Sequence, residues 1–173
     1  AALRVAEAAV VVVDAVHGVE VQTEKLWSEA AALNLPRIVV VNKLDRERAS
    51  LDRTLESLHR DCAREIAPIQ IPLGEEKAFT GVVDLVRMKA LSFAGDNSGK
   101  MTEGDIPDAL ADRAQKAREQ LIESVAEADE QLMETFFAEG TLSQEQLLSG
   151  LRTATMAGKL FPLVCTSRAY MVG

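Results

Sequence analysis

The chain has 173 residues, 47% of them hydrophobic and 27% charged, proportions that support a domain with its own core and exclude disorder over most of the length. Only 4% are aromatic, so packing must rest on Ala, Val, Leu and Ile; 27 acidic against 19 basic residues leave a net charge of -8, which argues against a broad grip on nucleic acid. The longest apolar run, residues 8–13, is far short of the roughly 20 residues that span a bilayer, and no basic-then-apolar leader opens the chain.

Residues 8–13, Ala-Ala-Val-Val-Val-Val, are short, apolar and β-branched, which predicts a parallel strand buried on both faces. Residues 23–33 place Leu26, Trp27, Ala30 and Leu33 at helical spacing, and Glu24 lies near the start, where the helix dipole favours an anion. Residues 37–42 form a second buried strand, and Ser50 caps a helix expected to run to about Ile66. Strand, helix, strand, helix is the order of an α/β fold with a parallel sheet. Residues 69–74 then alternate, residues 81–86 and 88–93 predict a hairpin, and residues 94–104 read as a polar loop. Helices are expected over residues 108–138, with a break near Ala128, and over residues 143–157, before a last buried strand at 160–165. The organisation expected is an α/β domain from residues 1–67 and 160–173, interrupted by an α+β insertion at 68–159. Cys62 and Cys165 lie far apart and read as two small buried thiols of a reduced cytosolic protein. His17 reads as a solvated loop residue and His59 as a helix residue without an evident partner.

The sharpest motif is Asn42-Lys43-Leu44-Asp45, at the end of the second buried strand. Ligands of open α/β sheets bind beyond the carboxyl ends of strands. A carboxylate at Asp45 accepts from both N1-H and the N2 amine of guanine, donors that adenine lacks. Asn42 offers an amide that bonds N7 or holds the loop, and the Lys43 stem lies over the purine face. A second loop, Thr166-Ser167-Arg168-Ala169, follows the last strand, where a Ser hydroxyl and backbone N-H groups meet the base oxygen O6. No Gly-x-x-x-x-Gly-Lys-Ser/Thr phosphate loop, no Asp-x-x-Gly and no candidate for activating a water occur in these residues, so no catalytic or metal-binding residue is assigned and the chain alone is expected to be inactive.

These residues resemble translation elongation factor G. The resemblance runs through Val12-Val13-Asp14-Ala15-Val16-His17-Gly18-Val19 and Pro36-Arg37-Ile38 into Asn42-Lys43-Leu44-Asp45-Arg46, then Pro72-Leu73-Gly74, residues 79–90 and Leu121-Ile122-Glu123-Ser124. The last two blocks are the more specific, because they resemble that family's insertion subdomain. The resemblance implies a partial GTPase-type α/β fold and a cytoplasmic GTPase acting on the ribosome, cycling between GTP and GDP with Mg2+. It implies Asn42, Lys43, Asp45 and Ser167 as guanine-recognition residues. Arg168 stands where the family usually has Ala, which keeps the backbone N-H but adds bulk and charge and points to a paralogue. Because the chain opens without Met, the expectation is a segment of a larger protein, with the phosphate loop, first switch and Asp-x-x-Gly-His segment before Ala1; His17 does not inherit the family's catalytic role.

Glu119, Glu123, Glu127, Glu130 and Glu134 recur at spacings of three and four as one carboxylate stripe. Like charges so placed cost a few tenths of a kcal/mol per pair. The resemblance implies docking of the ribosomal stalk protein there, and the rival reading is an interaction module that binds this partner without nucleotide. Within the class, a ribosomal-protection or release-factor GTPase is the alternative. The edge of the 8–13 strand is expected to support self-association, because an unpaired apolar edge is a template for another strand.

Overall fold

In the computed structural model, which describes residues 2–96 and 98–172, the apolar runs of the sequence assemble into two four-stranded sheets. Ala1, Asn97 and Gly173 belong to the expected first segment, polar loop and last segment and lie outside the described residues. The chain runs β1 (Ala9–Asp14), α1 (Val21–Ala32), β2 (Arg37–Asn42), α2 (Leu51–Asp61) and β3 (Ile66–Pro68), then β4 (Gln70–Leu73), β5 (Gly81–Asp84), β6 (Lys89–Phe93) and β7 (Met101–Gly104). Helices α3 (Asp108–Glu127), α4 (Glu130–Glu139) and α5 (Gln144–Met156) precede β8 (Phe161–Cys165). The first sheet is parallel in the order β1-β2-β8-β3; the second is antiparallel in the order β4-β5-β6-β7. The expected α/β sheet with an α+β insertion is the architecture found.

Register places the site. Asp14 pairs with Asn42 and Val41 with Cys165, so β1, β2 and β8 end level with one another at one edge of the sheet. Val13, Val39, Val41, Leu163 and Cys165 are buried on the core side. On the same side, Arg37 is 6% exposed and sits 4.4 Å over the Trp27 ring and 4.2 Å over the Phe161 ring. Its Nη1 donates to the Trp27 carbonyl at 3.4 Å, so stacking and one hydrogen bond hold a cation that has no carboxylate within ion-pair distance among the described residues. The two sheets join where Ile69 N-H donates to the Leu163 carbonyl (2.9 Å) and Cys165 N-H donates to Gln70 Oε1 (3.1 Å). Arg118 anchors α3 to the second sheet by donating to the Leu85 and Val86 carbonyls at 2.6 and 2.7 Å.

Several expectations are corrected. The first strand is buried on one face only: Val10 is 65% exposed, Val12 59% and Ile38 40%, because no described element packs on that side of β1 and β2. In α1, Trp27 and Ala30 are buried, but Leu26 is exposed, as is Leu33 just beyond the helix end. The Ser50-capped helix ends at Asp61, and residues 66–68 form a fourth parallel strand beside β8, pairing Ile66 with Phe161. His59 gains a partner through this change, with Nε2 2.8 Å from the Ile66 carbonyl. The polar loop contains β7, whose four residues are all exposed, so no alternation marks it. Cys165 is buried as expected, but Cys62 is only half-buried; burial first, then the nearby Asp61 and Glu24 charges, pushes its thiol up to about 11.

The break near Ala128 is real and sharp. Asp129 caps α4 by accepting from Gln131 and Leu132 N-H, and Gly140 (φ 72°) ends it in the left-handed conformation. All five glutamates are exposed, but Glu119, Glu123 and Glu127 lie on α3 whereas Glu130 and Glu134 lie on α4. The single stripe is thus divided between two helices.

Gly74 ends β4 with φ 86°, and a Cβ there would lie 1.9 Å from the Ala78 carbonyl oxygen. The turn it permits brings Glu76 Oε1 within 2.8 Å of Arg48 N-H, tying the insertion to the loop after β2. Gly74→Ala should destabilise the fold by about 1–3 kcal/mol in urea unfolding. Gly104→Ala, with open space around it, is the control; equal stability of the two variants would remove the close-approach argument.

Candidate functional site

The two predicted loops meet at the carboxyl edge of the parallel sheet. Their junction is Asn42, whose Oδ1 accepts from Lys43 N-H at 2.8 Å, Arg168 N-H at 3.3 Å and the Thr166 hydroxyl at 3.3 Å. Of the two roles left open for Asn42, holding the loops is therefore present in the fold. Lys43 adopts φ 66°, an uncommon backbone for a side chain with a Cβ, stabilised here by the Asn42 contact and by Arg46 N-H donating to the Lys43 carbonyl at 3.0 Å. Leu44, 3% exposed, anchors the turn in the core.

Asp45 and Ser167, 122 positions apart, are brought together. The Ser167 hydroxyl donates to Asp45 Oδ1 at 2.5 Å; Ser167 is fully buried and Asp45 is 8% exposed. Ser167 Oγ also accepts from Tyr170 N-H at 3.3 Å. The hydroxyl expected to meet a ligand is turned inward instead, fixing the carboxylate. Among the described residues, Asp45 Oδ2 has one ion-pair partner within 4.0 Å, Arg46 Nε at 3.7 Å, so this oxygen keeps acceptor capacity. Arg168 is exposed, and its N-H is shared with Asn42.

Asp14, quoted among the resembling residues but given no role, belongs to the site. Lys43 Nζ donates to Asp14 Oδ2 at 2.6 Å, bridging the ends of β1 and β2. Asp14 Oδ1 accepts from Val16 N-H (2.8 Å) and His17 N-H (3.3 Å), with His17 Nδ1 3.4 Å away. An acidic residue closing an apolar strand, in register with the motif's Asn42, is the signal that would have found it. Asp14, His17, Asn42 and Lys43 line a cavity of about 440 Å3 with Glu20 and Thr23, and Asp45 and Ser167 lie outside its lining. A larger cleft of about 800 Å3 between α2, β3 and α3 is lined by no residue of either loop. Among the described residues, no cluster of three or more His, Cys, Asp or Glu is placed to hold a metal ion, and no helix is long and apolar enough to cross a membrane.

Burial raises the Asp14 pKa, but the Lys43 hydrogen bond and the Val16 and His17 N-H groups outweigh it and hold the carboxyl at about 2, against an ordinary 3.8. A carboxyl more acidic when folded contributes stability that is complete above the unfolded value and is lost as pH falls through the folded one. Lys43→Met should return the Asp14 titration toward 3.8 in carboxyl-carbon NMR and shift the onset of acid unfolding upward in pH. An unmoved titration would show that Lys43 is not the partner that matters.

The sequence matches the elongation factor Tu GTP binding domain over residues 1–170. The chain is also similar to the crystal structure of a protein from Thermus thermophilus, at 35% identity and a TM-score of 0.87, over 99% of this chain and 25% of that one. It therefore spans about a quarter of the length of that relative. With nearly the whole chain matched, the chain belongs to the elongation factor Tu GTP-binding domain family.

Proposed function

We propose that this chain is the guanine-recognition part, with its insertion, of an elongation factor G-type translational GTPase that acts on the ribosome in the cytoplasm. The observation that carries the reading is Asp45, a carboxylate almost wholly buried, fixed on one oxygen by Ser167 and open on the other at the mouth of the sheet. The donor set fits guanine. Asp45 accepts from N1-H and the N2 amine, the Asn42 amide nitrogen faces N7 once Oδ1 is committed to the loops, and the Lys43 stem covers the purine. The Arg168 N-H, shared with Asn42 Oδ1, is a candidate donor for O6. GTP and GDP are the nucleotides this set selects, with Mg2+ supplying phosphate charge neutralisation when bound. This chain's residues hold the base; no phosphate-binding or water-activating motif occurs in its 173 residues, so the segment by itself binds without hydrolysing.

A base read by two parallel hydrogen bonds is discriminated by roughly 1–3 kcal/mol. Asp45→Asn exchanges one acceptor for a donor, and in the full-length factor it should lower GTP affinity while raising that for xanthosine triphosphate, whose C2 oxygen accepts. Calorimetric affinities should exchange order; an unchanged GTP preference would place Asp45 away from the base.

Exposure of Glu119, Glu123 and Glu127 along α3 supports docking of a basic partner, which in this family reading is the ribosomal stalk protein. Attraction between exposed charges acts mainly on association rate and fades with salt. Changing Glu123, Glu127 and Glu130 to Gln should slow association at low ionic strength, and a salt-independent, unchanged rate would remove this role. Stalk binding with no nucleotide binding in the full-length factor would favour the interaction module over the GTPase.

A further inference from the structure

We propose that Asp14 is a positioning residue for guanine-nucleotide binding: through Oδ2 it holds the Lys43 ammonium across the ends of β1 and β2 and so fixes the Lys43 stem as one wall of the base site. The proposal rests on the guanine reading of the Asn42–Asp45 loop and adds to it a residue outside both loops.

Three features of the fold point to this role. The register places Asp14 directly opposite Asn42 on the neighbouring strand, so the carboxylate stands beside the residue that precedes Lys43. The left-handed backbone at Lys43 accompanies a side chain that returns to β1, ending 2.6 Å from Asp14 Oδ2. The two carboxylate oxygens also divide their work: Oδ1 takes the Val16 and His17 N-H groups of the turn, and Oδ2 takes Lys43. A lysine has four side-chain torsions, and more than half of the Lys43 side chain is exposed at 54%. Without a tether its stem samples many rotamers, and ordering it on binding costs affinity. Asp14 is the only acidic group within ion-pair distance of Lys43 Nζ among the described residues.

This division of labour makes the role separable from a structural one. Asp14→Asn keeps the oxygen that accepts from the turn but replaces the Lys43 acceptor with a donor and removes the charge. In the full-length factor at neutral pH, Asp14→Asn should lower the melting temperature modestly, because it removes a stabilised charge, and weaken GDP binding roughly three- to tenfold by calorimetry at a temperature where the variant is folded. In a Lys43→Met background, the same substitution should have no further effect on GDP affinity. An equal loss in both backgrounds would show that Asp14 acts through the turn or His17 and would overturn the proposal. So would GDP affinity unchanged by Asp14→Asn while Lys43→Met weakens binding; in that case the base site stands and only this role falls. GDP affinity unchanged by Lys43→Met would overturn the base-site reading and this proposal together.

Discussion

The position of β8 between β2 and β3 is the constraint on which the rest of the structure depends. Parallel strands cannot be joined by a tight turn, and each needs a crossover of a dozen or more residues. Here the crossover from β3 to β8 is residues 69–160, which carry the second sheet and helices α3, α4 and α5. Because β8 pairs with β2 in a fixed register, Val41 opposite Cys165, the chain that leaves β8 must pass beside the chain that leaves β2. The meeting of Asn42 with Thr166, and of Asp45 with Ser167, follows from that pairing.

The interactions at the edge differ in strength and in what they do. Apolar packing by Val39, Val41, Leu163 and Leu44 supplies the stability. The Ser167–Asp45 bond is buried and charged on one side, the kind worth about 1.5–3 kcal/mol, and it sets where the carboxylate points. The Asp14–Lys43 pair is partly exposed, the kind worth about 1 kcal/mol or less, so it adds modestly to the fold while it tunes a side chain. At Asn42, three donors on one oxygen keep the loops in contact.

Most of the parallel sheet was legible because its strands are short runs of Val, Ile and Leu bounded by polar turns. The Asn42–Asp45 loop was legible for the same reason: its place at a strand end is readable from local sequence. Residues 66–68 were missed because three residues after a helix carry no periodicity of their own; only pairing with Phe161 and Leu163 makes them a strand. The strand at Met101 to Gly104 was hidden because all four side chains are exposed. The inward turn of Ser167 is a tertiary fact, set by a partner 122 positions away, and no local pattern encodes it. The expectation of a doubly buried first strand failed differently. Val10 and Val12 have the composition of a covered strand, but composition cannot say what lies above it.

The same strand order governs when the two loops meet during synthesis. A ribosome making this chain completes Asp14, Asn42 and Asp45 long before it reaches Ser167. Until residues 161–165 emerge from the exit tunnel, β2 has no neighbour on that side, Asp45 lacks the hydroxyl that fixes it, and the Asn42 oxygen lacks the donors of the second loop. Contacts that close so long a stretch of chain form slowly and late. A nascent chain therefore cannot bring this pair of loops together until the residues between them have been made in full, and a truncation anywhere before β8 yields a polypeptide without the Asp45–Ser167 and Asn42–Arg168 contacts, whatever portion of its strands has folded.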